Sequence, residues 1–199
     1  IKQAIRTWQT VLAEPVTIRV DGTPFAVTPQ MTRRARGRAR ASRRPHNRAR
    51  QIFHDKLVEE IVNAYAAEIG TDPTQPDRPG LLLSASDYAD LTEDLLNSPE
   101  VQALVEDNWP ILTAPQVVER LLTDRRHLEE ASHTILSDDD VDYLLRAKDS
   151  PFTVPDVPLL DEAAEQLGRP PRPRKATAGG ENWQQMVEDA QDALDILKA

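Results

Sequence analysis

A long apolar stripe between about His46 and Ile69 constrains the fold of this 199-residue chain more than any other feature. Its apolar residues recur at steps of three and four positions, the spacing that places side chains on one face of an α-helix. They are Phe53, Leu57, Val58, Ile61, Val62, Tyr65 and Ile69. Pro45 precedes the stripe and Gly70 follows it, which is typical of helix ends. The stripe therefore predicts one long helix whose apolar face lies in a core.

A β-hairpin is predicted near the start of the chain. The runs Val16–Val20 and Thr23–Val27 flank Asp21-Gly22, a residue pair that tight hairpin turns favour. Pro24 cannot donate a ladder hydrogen bond, which suits an edge strand. Because an isolated hairpin is only marginally stable in water, we expect it to pack on helices.

Short helices with their own start signals are predicted for most of the remaining chain. Capping boxes, in which two residues three apart exchange hydrogen bonds, are predicted for Ser84/Asp87, Thr113/Gln116 and Ser137/Asp140. Proline follows the N-cap residue in Thr28-Pro29 and in Ser98-Pro99. These signals predict helices over 29–44 and after residues 84, 98, 113 and 137, in addition to an amphipathic helix over 1–12.

Three further expectations concern the second half of the chain. Leu128, Ala131 and Ile135 are expected to continue an apolar helix face. Residues 150–158 contain three prolines and are predicted to be extended. Residues 159–168 are predicted to form a short helix that ends at Gly168.

Together these patterns predict a mostly α, irregular multi-helix domain with one small β-hairpin at about residues 16–27. The domain is expected to cover residues 1–168, followed by a flexible linker over 169–180. A terminal helix over 181–199 is expected to pack back on the domain. Because residues 1–12 already read as the inside of a helix, we expect the chain to be a piece of a longer protein.

Charge is distributed very unevenly along the chain. Residues 1–50 hold 12 basic and two acidic residues, whereas the remainder holds 12 basic and 31 acidic residues, for a total net charge of −9. Cysteine is absent, and no apolar run approaches the length of a membrane span. We therefore expect a monomeric, cytoplasmic protein that either presents two surfaces of opposite sign or folds one of them against the other.

The basic surface predicted from residues 33–50 contains nine arginines in 18 residues. Its candidate binding residues are Arg33, Arg34, Arg36, Arg38, Arg40, Arg43 and Arg44. Guanidinium groups bind phosphates, so the segment is a candidate nucleic-acid site. They also pair with carboxylates, either within the chain or on a partner. The sequence leaves both interpretations open.

Catalytic and metal motifs are not apparent in the sequence. The four histidines lack the spacing of a metal site, and neither a G-x-S-x-G nor a G-x-x-x-x-G-K-[ST] motif occurs. We therefore expect no enzymatic activity, no cofactor and no metal in this segment.

An unusual aspartate run occurs in LSDDDVDYLLR, where Asp138, Asp139, Asp140 and Asp142 lie within five positions. A calcium-binding loop of the EF-hand type is excluded. Its sixth position needs a glycine for the turn but would be Tyr143, and its twelfth position needs a bidentate glutamate but would be Asp149. Helix capping explains part of the run but not the tolerated repulsion among neighbouring carboxylates.

A cation or a basic partner would relieve that repulsion. A second acidic group, Asp156 with Asp161 and Glu162, follows across the proline-rich residues. We therefore predict that a protruding acidic segment, residues 136–168, presents carboxylates to a partner.

Five stretches, in order, resemble the segment inserted in the first motor domain of actinobacterial HelD, a superfamily 1 helicase-like family. They are VTIRVDGTPFAVTPQ, RARASRRPHNRARQIF, SPEVQALVEDNWPILTAPQ, LSDDDVDYLLR and FTVPDVPLLDEAAEQLG. The resemblance implies a non-catalytic insertion of an ATP-driven factor that releases RNA polymerase from unproductive nucleic-acid complexes. ATP and Mg²⁺ would bind elsewhere in that longer protein.

The resemblance further implies a clamp-opening domain that wedges against core RNA polymerase. An acidic loop of that domain would enter the primary channel, compete indirectly with DNA and RNA, and approach the catalytic magnesium. The acidic segment corresponds to this loop, with Asp138, Asp139, Asp140, Asp142, Asp156, Asp161 and Glu162 as the residues that would contact the polymerase.

Overall fold

The computed structural model describes residues 1–69, 84–132 and 135–169. These residues form nine α-helices, one 3-10 turn and a two-stranded sheet, which confirms the predicted fold class. In chain order the elements are α1 (Lys2–Thr7), β1 (Val16–Val20), β2 (Thr23–Val27), α2 (Pro29–Ala41), α3 (His46–Ile69), α4 (Ala85–Asn97), α5 (Pro99–Asn108), α6 (Ala114–Thr123), α7 (Arg125–Ser132), α8 (Asp138–Leu144), the 3-10 turn Val154–Asp156 and α9 (Val157–Leu167).

The hairpin forms as predicted. β1 and β2 are antiparallel, with Val16 opposite Val27 and Val20 opposite Thr23. Asp21 and Gly22 both have positive φ, 49° and 76°, as a primed turn requires. One face of the hairpin is buried on the helices, which confirms the expectation that it packs there.

The first core forms around α3, whose predicted apolar stripe is buried from Phe53 to Tyr65. It contains 18 buried apolar residues, contributed by the hairpin, α2 to α5 and Trp109. The Phe53 and Trp109 rings stack with centroids 5.5 Å apart, and His46 stacks against Trp109 at 5.4 Å. The long helix therefore organises the first half of the molecule.

The second core is smaller and joins α1 to α6–α9. Its eight buried residues are Ala4, Ile5, Leu112, Val117, Leu121, Leu128, Val141 and Leu167. A neighbouring small cluster of Val118, Leu122 and Ala163 holds α9 against α6. The acidic segment is anchored here through its buried residues.

A buried polar junction connects the two cores at the start of α3. The Asn47 amide donates to the carbonyls of Leu112 and Gly168 at 3.0 and 3.1 Å and accepts from the Leu112 N–H at 3.0 Å. His46 Nε2 lies 2.8 Å from the Pro110 carbonyl, and its Nδ1 lies 3.2 Å from Gln9 Nε2. Side chains thus satisfy the backbone where it leaves regular structure.

The three predicted capping boxes, at Ser84, Thr113 and Ser137, are confirmed as the starts of α4, α6 and α8. Pro29 and Pro99 begin α2 and α5, as their positions predict. These starts follow from local chemistry, since each side chain satisfies backbone N–H groups within its own first turn.

Two predicted helices are shorter than expected. α1 ends at Thr7 rather than near Leu12, because Thr10 N–H donates to the Asn108 carbonyl and Leu12 N–H to Thr32 Oγ1. Tertiary hydrogen bonds there replace the helical ones. α2 ends at Ala41 rather than near Arg44.

Two expectations in the second half of the chain are wrong. Ile135 does not continue an apolar face and is 80% exposed. Residues 150–158 are not wholly extended, because Asp156 accepts hydrogen bonds from Thr153 N–H and Oγ1 and turns the backbone into the 3-10 turn and α9.

The predicted linker over 169–180 and terminal helix over 181–199 lie outside the described residues, except for Arg169. No helix in the described part of the chain is long and apolar enough to cross a membrane.

Candidate partner-binding site

The first turn of α8 presents Asp138, Asp139 and Asp140, all exposed. Asp140 caps the helix: its amide donates to Ser137 Oγ at 3.3 Å, and its Oδ2 accepts from Ser137 Oγ and N–H at 2.7 and 3.0 Å. These hydrogen bonds, above all the one from the Ser137 hydroxyl, lower the pKa of Asp140 below its ordinary value. Asp140 therefore has a local structural role.

Asp142 also has a partner within the chain. Its carboxylate contacts the guanidinium of Arg125, which also reaches Glu129 at 3.2 Å. All three side chains are about half exposed, so the Arg125–Asp142 pair, which joins α7 to α8, holds these helices together only weakly. The charge of Asp142 is nevertheless compensated.

The expectation that Asp156 is presented to a partner is wrong, because its side chain is only 1% exposed. Arg146 donates to it through both terminal nitrogens, at 2.7 and 2.5 Å. The Arg146 guanidinium, followed by the Thr153 N–H, holds the pKa of Asp156 well below its usual range. The sequence pattern could not reveal this pairing, which joins residues ten positions apart.

Asp161 and Glu162 lie on the exposed side of α9. Glu162 accepts a hydrogen bond from Gln166 at 3.0 Å. On the opposite side of the helix, Ala163 and Leu167 are buried. The acidic segment is therefore not a protruding loop throughout, since its last helix is part of the packed domain.

Five carboxylates on the segment remain without a hydrogen bond or ion pair to any described residue: Asp138, Asp139, Asp149, Asp161 and Glu165. The segment as a whole contains nine acidic and two basic residues. Of the residues predicted from the sequence to contact a partner, Asp138, Asp139 and Asp161 therefore remain available to a basic partner.

Exposed apolar side chains on the same segment were missed by sequence reasoning. Tyr143 is 90% exposed, Val154 84%, Val157 57% and Phe152 42%. For Phe152, Val154 and Val157, the signal that could have indicated exposure was the lack of a helix or strand pattern to bury the apolar residues of SPFTVPDVP. Apolar side chains at the surface beside carboxylates are typical of protein-binding sites.

The basic surface is partly used inside the molecule. Arg36 and Arg40 donate to the Gln9 carbonyl at 3.1 and 3.4 Å, and Arg40 Nε also donates to Gln9 Oε1 at 2.7 Å. Arg34 pairs with Glu60 at 3.2 Å. The arginines thus bind backbone carbonyls more often than the carboxylates expected from the sequence.

Four arginines of the basic surface, Arg33, Arg38, Arg43 and Arg44, are exposed and form no ion pair with the residues that the structure describes. Arg33 and Arg38 belong to α2, and the other two follow its end. Arg43 has a φ of 56°, a backbone conformation uncommon for a residue other than glycine. These four cations are available to an anionic ligand.

Within the described ranges, no group of three or more histidine, aspartate or glutamate side chains could hold a metal ion. In the described part of the chain, neither the aspartate run nor Asp161 forms an ion pair with the basic surface. Comparison with models of protein families finds no match to the sequence, and comparison with curated proteins finds none either.

Proposed function

We propose that the chain is a non-catalytic, RNA polymerase-binding insertion domain of a HelD-like ATPase. It wedges against the polymerase clamp and places the acidic segment in the primary channel, where it helps to displace nucleic acid and to recycle the polymerase. The two parts of this proposal, an acidic docking element and the polymerase as its partner, have different support.

The acidic docking element is supported by the carboxylates of Asp138 and Asp139 at the start of α8, which are exposed and pair with none of the residues that the structure describes. Capping needs one carboxylate, which Asp140 supplies. The other two favour the positive end of the helix by about 0.3–1 kcal/mol each but repel one another. A partner that supplies cations would turn this repulsion into binding energy.

The polymerase is supported by the resemblance of five ordered stretches to the HelD insertion. A channel that holds nucleic acid must be lined with cations that bind phosphates. Clustered carboxylates can compete for those cations, and they are also suitable oxygen ligands for Mg²⁺. The chemistry of the acidic segment therefore fits the surface that the resemblance implies.

The test measures the affinity of the full chain for core RNA polymerase at two salt concentrations. The variant Asp138→Asn with Asp139→Asn should bind about tenfold more weakly than the wild type at low salt and should show a flatter salt dependence. Its matched control is Asp90→Asn with Asp94→Asn, which removes two exposed charges from α4. Equal affinities of the two variants would overturn the acidic-docking role.

A second candidate function is nucleic-acid binding by the basic surface. It is favoured by the four exposed arginines, Arg33, Arg38, Arg43 and Arg44, which lack a carboxylate partner in the described part of the chain. Each phosphate contact adds affinity that falls as salt rises. The net charge of −9 opposes this function.

Fluorescence anisotropy of labelled DNA and RNA tests this candidate. Arg43→Gln with Arg44→Gln should weaken low-salt binding and reduce its salt slope by about two. The control, Arg19→Gln with Arg126→Gln, removes two exposed guanidinium groups elsewhere. If the wild type fails to bind at low salt, or if both variants bind equally, the basic surface is not a nucleic-acid site.

A further inference from the structure

The loop formed by residues 146–156, here called the strap loop, is fixed at its base. Arg146 N–H donates to the Leu122 carbonyl at the end of α6, at 2.8 Å. The Arg146 guanidinium is bidentate to Asp156, which also accepts from the Thr153 N–H at 2.6 Å. Both ends of the loop are therefore held together and attached to the packed domain.

Next to this anchored base, the strap loop exposes apolar side chains to solvent. Phe152 and Val154 are 42% and 84% exposed, and Val157, which begins α9, is 57% exposed. Of the seven large apolar side chains that are exposed in the described residues, these three lie within six consecutive positions. Exposed apolar residues scattered singly are ordinary on protein surfaces, but such a concentration in the strap loop and the first residue of α9 indicates a contact surface.

We propose that the strap loop is a preformed docking element whose Phe152 and Val154 enter an apolar pocket on a partner protein. The inference rests on the proposed function for the identity of that partner. Arg146 and Asp156 are positioning residues, because they fix the loop and do not themselves reach the partner. A loop that is already ordered loses less conformational entropy on binding than a flexible one.

The charges around the strap loop define the surface that it fits. Asp149 lies within the loop, the aspartates of α8 precede it, and Asp161 and Glu162 follow it, all exposed. Cations around an apolar pocket would complement this arrangement, with the apolar contacts at the centre and the charged ones at the rim. An anionic lipid surface would be repelled by the same carboxylates.

The experiment measures binding of the full chain to core RNA polymerase, with anionic phospholipid vesicles as a second probe. Phe152→Ser with Val154→Ser should weaken polymerase binding about tenfold at both low and high salt, since apolar contacts are little screened. Val16→Ser with Ile111→Ser is the matched control, because both residues are 38% exposed and lie elsewhere. Thermal unfolding should show both variants folded.

Each outcome separates the two proposals. If the wild type binds polymerase and the strap-loop variant binds it equally well, the docking element is overturned and the proposed function stands. Failure of the wild type to bind polymerase overturns both. Binding to vesicles that depends on Phe152 and Val154 would overturn the protein-docking role and assign the loop to a membrane surface.

A double-mutant cycle tests the positioning role of Asp156. Asp156→Asn should weaken polymerase binding in the wild-type background but cause little further loss in the Phe152→Ser, Val154→Ser background, because it acts through those residues. Equal losses in both backgrounds would show that Asp156 acts independently of Phe152 and Val154 and would overturn its positioning role.

Discussion

The two cores of the molecule differ in packing and in what they leave exposed. The first core buries 18 apolar residues around α3, and Val16 is the one large apolar side chain that its described elements leave exposed. The second core buries eight, and the acidic segment attached to it exposes Tyr143, Phe152, Val154 and Val157. This difference indicates that the first core provides most of the stability, while the second presents a contact surface.

The largest expected effect is on the first core. Phe53→Ala should lower the free energy of unfolding by about 4 kcal/mol, because it leaves a cavity beside the fully buried Trp109. Val141→Ala, in the seven-residue α8, should cost about 1.5 kcal/mol for two buried methyl groups. Urea denaturation measures both values. Similar losses in the two variants would contradict the difference between the cores.

A smaller effect is expected from pH at the junction between the cores. Burial, with a contribution from the charge of Arg50, lowers the pKa of His46 from 6.5 to about 4, although its hydrogen bond to Pro110 acts in the opposite direction. The unfolded chain therefore binds more protons between these pH values. The contribution of the neutral His46 to the free energy of unfolding, about 3 kcal/mol, is complete above about pH 6.5 and is lost as the pH falls towards 4.

Urea denaturation of wild type and His46→Gln between pH 7 and pH 4 measures this contribution. The wild type should lose more stability than the variant over that interval, while carboxylate titration affects both proteins. Parallel pH profiles would show that His46 is not held neutral. The Gln9 amide offers a proton on His46 Nδ1 no acceptor, because its Nε2 faces Nδ1 and its Oε1 is bound to Arg40.

A third effect concerns Asn47, which connects the cores. Asn47→Ala removes three hydrogen bonds and leaves buried backbone groups of Leu112 without their partner, at a cost of about 2 kcal/mol. Hydrogen exchange should then show faster opening of α9, the last helix of the acidic segment, than of α3. Uniform acceleration across both helices would indicate that the junction does not couple the cores locally.

Parts of the fold that depend on local chemistry could be predicted from the sequence. The hairpin turn at Asp21-Gly22 and the cap at Ser137 involve residues within a few positions of one another. The end of α1 at Thr7 could not be predicted, because Leu12 bonds to Thr32 across the fold. Long-range hydrogen bonds of this kind leave no periodic signal in the sequence.

The same contrast between local chemistry and long-range contacts explains why only part of the candidate site was predicted. The exposure of Asp138 and Asp139 follows from their place in the first turn of a helix whose Val141 faces inward. The burial of Asp156 depends on Arg146, whose backbone is held by Leu122. A carboxylate that the sequence assigns to an acidic surface can therefore be buried in an ion pair, because a contact distant in sequence holds its arginine in place.

The smallest expected effect on stability belongs to the residues with the largest proposed role in binding. Asp138→Asn with Asp139→Asn should change the free energy of unfolding by about 1 kcal/mol or less, because both side chains are exposed and form no described hydrogen bond. Thermal unfolding measures this change. A large loss of stability would mean that these carboxylates support the fold rather than a partner.

The most direct test of the central claim is competition between the acidic segment and nucleic acid for the polymerase. The affinity of the full chain for core RNA polymerase is measured with and without a preloaded DNA–RNA hybrid. We predict that the hybrid weakens wild-type binding about tenfold, and that the Asp138→Asn, Asp139→Asn variant shows a much smaller effect because it has already lost the contested contacts. Wild-type affinity that is unchanged by the hybrid would contradict the claim.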